Sequence, residues 1–240
     1  MKVLISPISV AEAFEVCDGG ADIVDVKNVD EGSLGANFPW VIRSVVDALK
    51  DRPVTFSATL GDLPFKPGTA ALAALGAAHA GARYIKAGLY GTRTYEEACA
   101  VMRAVVRACA DYDPSITTVA AGYADYRKFQ GLDPMTLVRV AADTGCDVVM
   151  VDTAIKDGST LFDNMDFAEL EGFVSAGHAN DMQVALAGSV KRAHLPAIIE
   201  AGTDIVGIRG AVCAGSDRRA PIVAELVRSF MDSVRTPIQT

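Results

Sequence analysis

The chain has 240 residues, of which half are hydrophobic and 22% are charged, and its formal net charge is −8. This composition is typical of a folded globular protein and argues against disorder, and a chain of this length can bury a full core without disulfides or a structural metal. The acidic balance argues against nucleic acid as a partner, because binding to a phosphate backbone needs a basic surface.

The five cysteines are scattered along the chain, with no Cys-x-x-Cys pair. This pattern indicates free thiols in a reducing compartment, so we expect a cytoplasmic protein. No stretch approaches 18 consecutive apolar residues, so neither a transmembrane helix nor a membrane partner is expected. The short apolar run after Met1 is too short for a signal peptide and is predicted to be the first strand.

A fourfold internal repeat organises the chain. The segments that begin at Gly20, Gly81, Gly145 and Gly202 each contain a short β-branched run, followed by a polar residue or a glycine. This order is typical of a helix that ends on glycine and a buried parallel strand that begins. The glycines lie about 60 residues apart, which is twice the roughly 30 residues of one strand–helix unit.

Four further strands are predicted between these segments, at residues 3–6, 54–59, 116–122 and 183–187. Alanine-rich helical patterns alternate with the strands, at residues 10–18, 38–50, 68–80, 94–110, 133–144, 166–179, 190–201 and 218–231. Eight strands alternating with eight helices predict a single (β/α)8 TIM barrel, an α/β catalytic domain over residues 1–240. The rival, an open doubly wound sheet, would normally place a glycine-rich turn after its first strand, where this chain has Ser6-Pro7-Ile8-Ser9.

Polar residues end the predicted strands, where the active sites of such barrels lie. In chain order they include Ser6, Asp25, Lys27, Ser57, Thr59, Lys86, Tyr123, Asp125, Asp152, Ser189 and Arg209. An isolated lysine is most often a solvated surface residue, but Lys27 and Lys86 each end an apolar strand and are expected at the barrel mouth. Lys156 lies in a loop, four residues beyond Asp152.

These three lysines point to Schiff-base chemistry. A lysine attacks a carbonyl only as the neutral amine, and both burial and a neighbouring cation favour that form. The iminium that results withdraws electrons, so a second lysine can remove a proton from the adjacent carbon. Asp152 either orients Lys156 and assists proton transfer or forms a purely structural ion pair.

The last two strand ends suggest a phosphate site. Gly188 and Ser189 follow the seventh strand, and Arg209 and Gly210 follow the eighth. Barrels commonly bind phosphate at this position through backbone N–H groups. The alternative is that the glycines only form tight turns and that Arg209 pairs with an acidic neighbour.

Metal catalysis is disfavoured by the sequence. All three histidines fall in predicted helices away from the strand ends, and no His-Glu-x-x-His motif or Cys/His cluster is present. A Mg²⁺ ion held by carboxylates stays open as an alternative. No cofactor is expected.

Six segments closely resemble the (5-formylfuran-3-yl)methyl phosphate synthase family. They are MKVLISP at 1–7, ADIVDVKN at 21–28, EGSLGANFPW at 31–40, YIKAGLYG at 84–91, VDTAIKDG at 151–158 and LAGS at 186–189. The resemblance covers nearly the whole chain, and the segments are specific in combination.

The resemblance implies a barrel enzyme, a carbon–oxygen lyase, that acts on glyceraldehyde 3-phosphate alone. Two molecules would condense to 4-(hydroxymethyl)-2-furancarboxaldehyde phosphate with loss of one phosphate and two waters, as the first step of methanofuran biosynthesis. The resemblance also implies Lys27 as the Schiff-base residue and Lys86 as the proton acceptor, with Asp152 and Lys156 important nearby. The host would be a methanogen or a bacterium that oxidises one-carbon compounds.

Two other functions stay open at this point. A class I aldolase of another sugar phosphate would use the same lysines but would produce neither a furan nor free phosphate. A sugar-phosphate-binding barrel without activity would bind its ligand without turnover, although a mere binder gains nothing from a neutral amine. A homo-oligomer is expected, because barrels often associate through their helices.

Overall fold

The computed structural model describes residues 1–236, and these form one closed barrel of eight parallel strands. The strands are β1 (Lys2–Ile5), β2 (Ile23–Val26), β3 (Thr55–Pro64), β4 (Tyr84–Gly91), β5 (Thr117–Tyr123), β6 (Val148–Asp152), β7 (Gln183–Leu186) and β8 (Ile205–Ile208). Each strand pairs with the next, and β8 closes the barrel against β1. The predicted (β/α)8 barrel is therefore confirmed, and the open doubly wound sheet is not what forms.

Eight helices alternate with the strands in the described residues and surround the barrel. They are α1 (Val10–Asp18), α2 (Pro39–Leu49), α3 (Pro67–His79), α4 (Tyr95–Tyr112), α5 (Pro134–Thr144), α6 (Phe167–His178), α7 (Leu195–Glu200) and α8 (Ala224–Arg235). Within residues 1–236, no helix is both long and apolar enough to cross a bilayer.

Side chains alternate along each strand between the barrel interior and the helix layer, because successive residues of a strand face opposite sides. On β6, Val148 and Met150 belong to the interior cluster, whereas Val149 and Val151 pack in the cluster beneath the helices. The same alternation directs Asp152, the last residue of β6, into the barrel mouth.

The repeated segments also close the opposite end of the barrel. In three of the four copies, the aspartate after the glycine accepts a hydrogen bond from a backbone N–H at the start of the preceding strand. The O···N pairs are Asp22–Val3 at 2.8 Å, Asp147–Thr118 at 2.7 Å and Asp204–Val184 at 2.8 Å. The repeat therefore ties neighbouring strands together at their amino ends.

Three elements depart by five residues or more from the boundaries predicted by sequence. α7 begins at Leu195 and not at residue 190, because a short 3₁₀ turn over Arg192–His194 precedes it. β3 continues to Pro64, five residues past the predicted end, and pairs with β4 through register shifts as far as Gly91. The final helix begins at Ala224 and not at residue 218, because the preceding segment turns back to form an antiparallel bridge between Cys213 and Ile222.

Candidate active site

A cavity of about 640 Å³ opens at the carboxyl end of the barrel, a volume typical of small-molecule sites. The eight residues to which the sequence analysis gives a catalytic or phosphate-binding role all line it: Lys27, Lys86, Asp152, Lys156, Gly188, Ser189, Arg209 and Gly210. The structure thus brings the predicted site together at the predicted end of the barrel.

Lys27 directly follows β2 and is 7% exposed. Its Nζ donates a hydrogen bond to the carbonyl oxygen of Ser33 at 3.3 Å. Burial lowers the pKa of Lys27 to about 8, against the opposing charge of Asp152 and with the support of the Lys86 cation. A pKa near 8 leaves a useful fraction of neutral, nucleophilic amine at physiological pH.

Lys86 is held by the buried carboxylate of Asp25, which the sequence placed at a strand end without giving it a role. Its Nζ donates to Asp25 Oδ2 at 2.9 Å, and the two side chains are 2% and 0% exposed. Asp25 also accepts hydrogen bonds from the hydroxyls of Ser6 at 2.9 Å and Ser57 at 2.6 Å. Burial alone would raise the pKa of Asp25, but the Lys86 and Lys27 cations and the Ser57 hydroxyl hold it below its ordinary value.

Asp152 and Lys156 form a second pair at the mouth. Lys156 Nζ donates to Asp152 Oδ1 at 2.9 Å and to the carbonyl oxygen of Thr153 at 2.7 Å. Burial opposes ionisation of Asp152, yet the Lys156 and Lys27 cations outweigh it and lower the pKa of Asp152 to about 2. Asp152 is therefore an anion that holds Lys156 while lining the cavity.

The turn after β7 has the geometry of an anion site. Gly188 and Ser189 have consecutive positive φ angles of 112° and 49°, and a Cβ at Gly188 would lie 3.0 Å from Thr153 Cγ2. Among the described residues, the N–H groups of Gly188 and Ser189 donate to no protein acceptor. Successive free amides in such a turn are suited to bind an anion.

Arg209 lines the cavity but is bound by protein partners. Its guanidinium makes two hydrogen bonds to the Glu12 carboxylate, at 2.7 and 3.1 Å, and two more to the carbonyl oxygens of Ser6 and Arg218, both at 2.7 Å. The structure thus shows the acidic-neighbour alternative for this side chain, which also links β8 to the loop before α8.

Three cationic side chains that sequence reasoning missed also line the cavity: Lys191, Arg192 and Arg218. The sequence predicts a helix at each of these positions. In the structure Arg218 lies in the loop before α8, and Arg192 begins a short 3₁₀ turn before α7. Their positions shortly after strand ends seven and eight were the available signal.

No group of three or more metal-ligating side chains occurs within residues 1–236. His79 and His178 end helices α3 and α6, and His194 ends the 3₁₀ turn before α7.

Comparison with known proteins gives the family. The 4-HFC-P synthase family model matches residues 3–231. The curated (5-formylfuran-3-yl)methyl phosphate synthase of Archaeoglobus fulgidus is 54% identical over 234 residues, covering 98% of this chain and 99% of that protein. The synthase of the same name from Methanothermobacter thermautotrophicus is 59% identical over 218 residues, covering 91% and 92%.

Solved structures share the fold at low identity. A 3-hexulose-6-phosphate synthase superposes with a TM-score of 0.64 at 20% identity, covering 96% of this chain and 99% of that one. The phosphoribosyl anthranilate isomerase of Thermus thermophilus gives 0.61 at 16% identity, covering 98% of each chain. These similarities show the barrel alone, whereas the full-length matches above show that the chain belongs to the 4-HFC-P synthase family of enzymes.

Proposed function

We propose that this chain condenses two molecules of glyceraldehyde 3-phosphate into 4-(hydroxymethyl)-2-furancarboxaldehyde phosphate, the first step of methanofuran biosynthesis. The curated relatives are named for this compound, (5-formylfuran-3-yl)methyl phosphate. The observation that supports the proposal most is the buried Lys27, whose pKa of about 8 suits imine formation.

The overall reaction balances without a redox partner. Two trioses supply the six carbons of the product, and the difference between substrates and product is one phosphate and two waters. Since no net oxidation or reduction occurs, the chemistry needs only addition, proton transfer and elimination. We therefore assign the enzyme to the carbon–oxygen lyases.

The first step assigns Lys27 as nucleophile. Its neutral amine attacks the aldehyde carbon of one triose phosphate and expels water, which gives an iminium. Lys86 gives its own proton to the hydroxyl that leaves as water and so becomes neutral. It then accepts the proton from the C–H bond that the iminium acidifies, which leaves an enamine. Asp25 supports this role, because its carboxylate fixes Lys86 Nζ at 2.9 Å and compensates the ammonium that forms.

The enamine carbon then adds to the aldehyde of the second triose phosphate. One phosphate and the second water leave. A substrate hydroxyl adds to the iminium carbon to close the ring and displaces the Lys27 amine, so the free lysine is regenerated and aromatisation drives the reaction forward. Asp152 and Lys156 lie 2.9 Å apart at the cavity wall, so they are placed to exchange protons during these eliminations.

Substrate phosphate is assigned to the end of the cavity beside β7 and β8. The free amides of Gly188 and Ser189 and the backbone at Gly210 would bind its oxygens, and Arg209 adds positive charge from its place on Glu12. A cytoplasmic location and a homo-oligomeric assembly stay predictions of the sequence.

The test is incubation of the purified protein with glyceraldehyde 3-phosphate alone, followed by mass spectrometry and a phosphate assay. The expected result is a furan aldehyde phosphate with one inorganic phosphate released per product. Lys27→Ala should give neither, while Lys50→Ala, which changes an exposed lysine, should behave as wild type. An ordinary aldol adduct without phosphate release would establish the aldolase alternative instead.

A further inference from the structure

A further side-chain pair lies beside the active site, formed by the half-buried Asp62 on the extension of β3 and the buried Tyr123 at the end of β5. The Tyr123 hydroxyl donates to Asp62 Oδ1. The other carboxylate oxygen, Oδ2, accepts the backbone N–H groups of Ser33 at 2.9 Å and Leu34 at 3.4 Å. Asp62 therefore joins β5 to the loop that follows β2.

The pair is closely enclosed by its surroundings. A Cβ on Gly32 would lie only 2.1 Å from Asp62 Oδ2, so the loop backbone approaches the carboxylate as only glycine allows. The Tyr123 ring meets Tyr90 and Phe129 edge-to-face, with centroids 5.9 and 5.7 Å away. These contacts restrict how the hydroxyl and the carboxylate can move relative to each other.

The loop that Asp62 holds is the one that contacts Lys27. The carbonyl oxygen of Ser33 accepts the hydrogen bond from Lys27 Nζ, and the Ser33 hydroxyl donates to the carbonyl oxygen of Thr153 at 2.7 Å. Neither Asp62 nor Tyr123 is among the described residues that line the cavity. Among the described residues, the hydrogen bonds that connect this pair to the reacting amine run through Ser33.

We propose that Asp62 and Tyr123 are positioning residues, which fix the loop at 32–34 so that the Ser33 carbonyl aims Lys27 Nζ at the substrate aldehyde. The inference rests on the proposed function, since it concerns the same lysine. Misplacing a reacting group by about 1 Å can cost on the order of a hundredfold in rate. A loosened loop therefore slows imine formation without removing the lysine.

Three substitutions separate this role from simple stabilisation. Asp62→Ala removes the acceptor for both loop amides, and we expect imine formation to slow by roughly tenfold or more. Asp62→Asn keeps an oxygen for the Ser33 N–H and an NH₂ that can donate to the tyrosine oxygen, so it should restore the rate to within about threefold of wild type. Tyr123→Phe should fall between them. The KM for glyceraldehyde 3-phosphate should change little.

The measurement is the initial rate at which borohydride traps the adduct of glyceraldehyde 3-phosphate on the Lys27 peptide. The rate of this labelling is expressed per folded molecule. Asp22→Ala is the matched control, because it removes a carboxylate–amide hydrogen bond of 2.8 Å at the opposite end of the barrel. That variant should be less stable than wild type, but its Lys27 should be labelled at the wild-type rate.

The inference would be overturned if Asp62→Ala were labelled at the wild-type rate. It would also be overturned if Asp62→Asn were labelled as slowly as Asp62→Ala. Either result would leave the proposed function intact. Should Asp62→Ala fail to fold, wild-type labelling of Tyr123→Phe would overturn the inference in the same way. Absence of label on the wild-type protein would overturn the proposed function and this inference together.

Discussion

Lys86 and Asp25 form an ion pair inside the barrel, with Nζ and Oδ2 2.9 Å apart and side chains 2% and 0% exposed. They lie on β4 and β2, and Ser57 on the intervening strand donates to the same carboxylate. Three neighbouring strands are thus joined at one anion. Breaking such a pair is costly, because the remaining charge is left buried and uncompensated.

Asp25→Ala should destabilise the fold by about 3–5 kcal/mol, because it leaves the Lys86 ammonium buried without a partner. The double variant Asp25→Ala/Lys86→Met should recover part of that loss, because it removes the unpaired charge. Urea denaturation at pH 7 measures both. A double variant no more stable than the single one would show that the pairing of these charges is not the source of the effect.

Lys27 should reduce stability at neutral pH. Its pKa is about 8 in the folded protein against an ordinary 10.5, so between those values the unfolded chain binds more protons and stability rises with pH. Below pH 8 the full penalty applies, on the order of 3 kcal/mol. Lys27→Met should therefore be more stable than wild type at pH 7, with the gap closing towards pH 10.5. Equal gaps at pH 7 and pH 10 would refute the lowered pKa.

Gly188→Ala tests the anion site. The substitution places a Cβ 3.0 Å from Thr153 in a backbone with φ of 112°, so the turn must shift and the amides move. We expect KM for glyceraldehyde 3-phosphate to rise by roughly tenfold, with weaker inhibition by inorganic phosphate.

Gly202→Ala is the control for this experiment. Gly202 has a comparable positive φ of 78°, but nothing lies within 4 Å of its added Cβ. It should lose about 1–2 kcal/mol of stability from backbone strain and keep the wild-type KM. If both alanine variants raise KM equally, strain and not the anion site would be responsible.

The sequence was sufficient to place Asp25, Lys27 and Lys86 because each lies within a regular strand or directly after one. Asp25 and Lys27 are two residues apart, so alternation sends both to the same side of the sheet, and Lys86 lies in a strand of the same repeat. The pairing of Asp25 with Lys86 depends on how strands β2, β3 and β4 are staggered around the barrel. The stagger of the strands is set when the sheet closes into a barrel, and no local sequence pattern indicates it.

The missed residues lie where the chain departs from the repeat. The predicted strand ends at residue 59, yet β3 continues past Gly61 to Pro64 through shifts in register. This extension brings Asp62 to the loop after β2, where it accepts the N–H of Ser33, a residue 29 positions earlier in the sequence. The helix predicted from residue 218 wrongly included Arg218. The segments joined by the bridge between Cys213 and Ile222 have no strand pattern, so the sequence does not indicate that the chain turns back before α8.

The most direct test of the account is to treat the protein and glyceraldehyde 3-phosphate with borohydride and identify the modified lysine by peptide mass spectrometry. The account predicts one triose-phosphate-derived adduct, located on Lys27 and absent from Lys27→Ala. An adduct on Lys86 or Lys156 instead, or furan formation by Lys27→Ala, would contradict the assignment of Lys27 as the nucleophile.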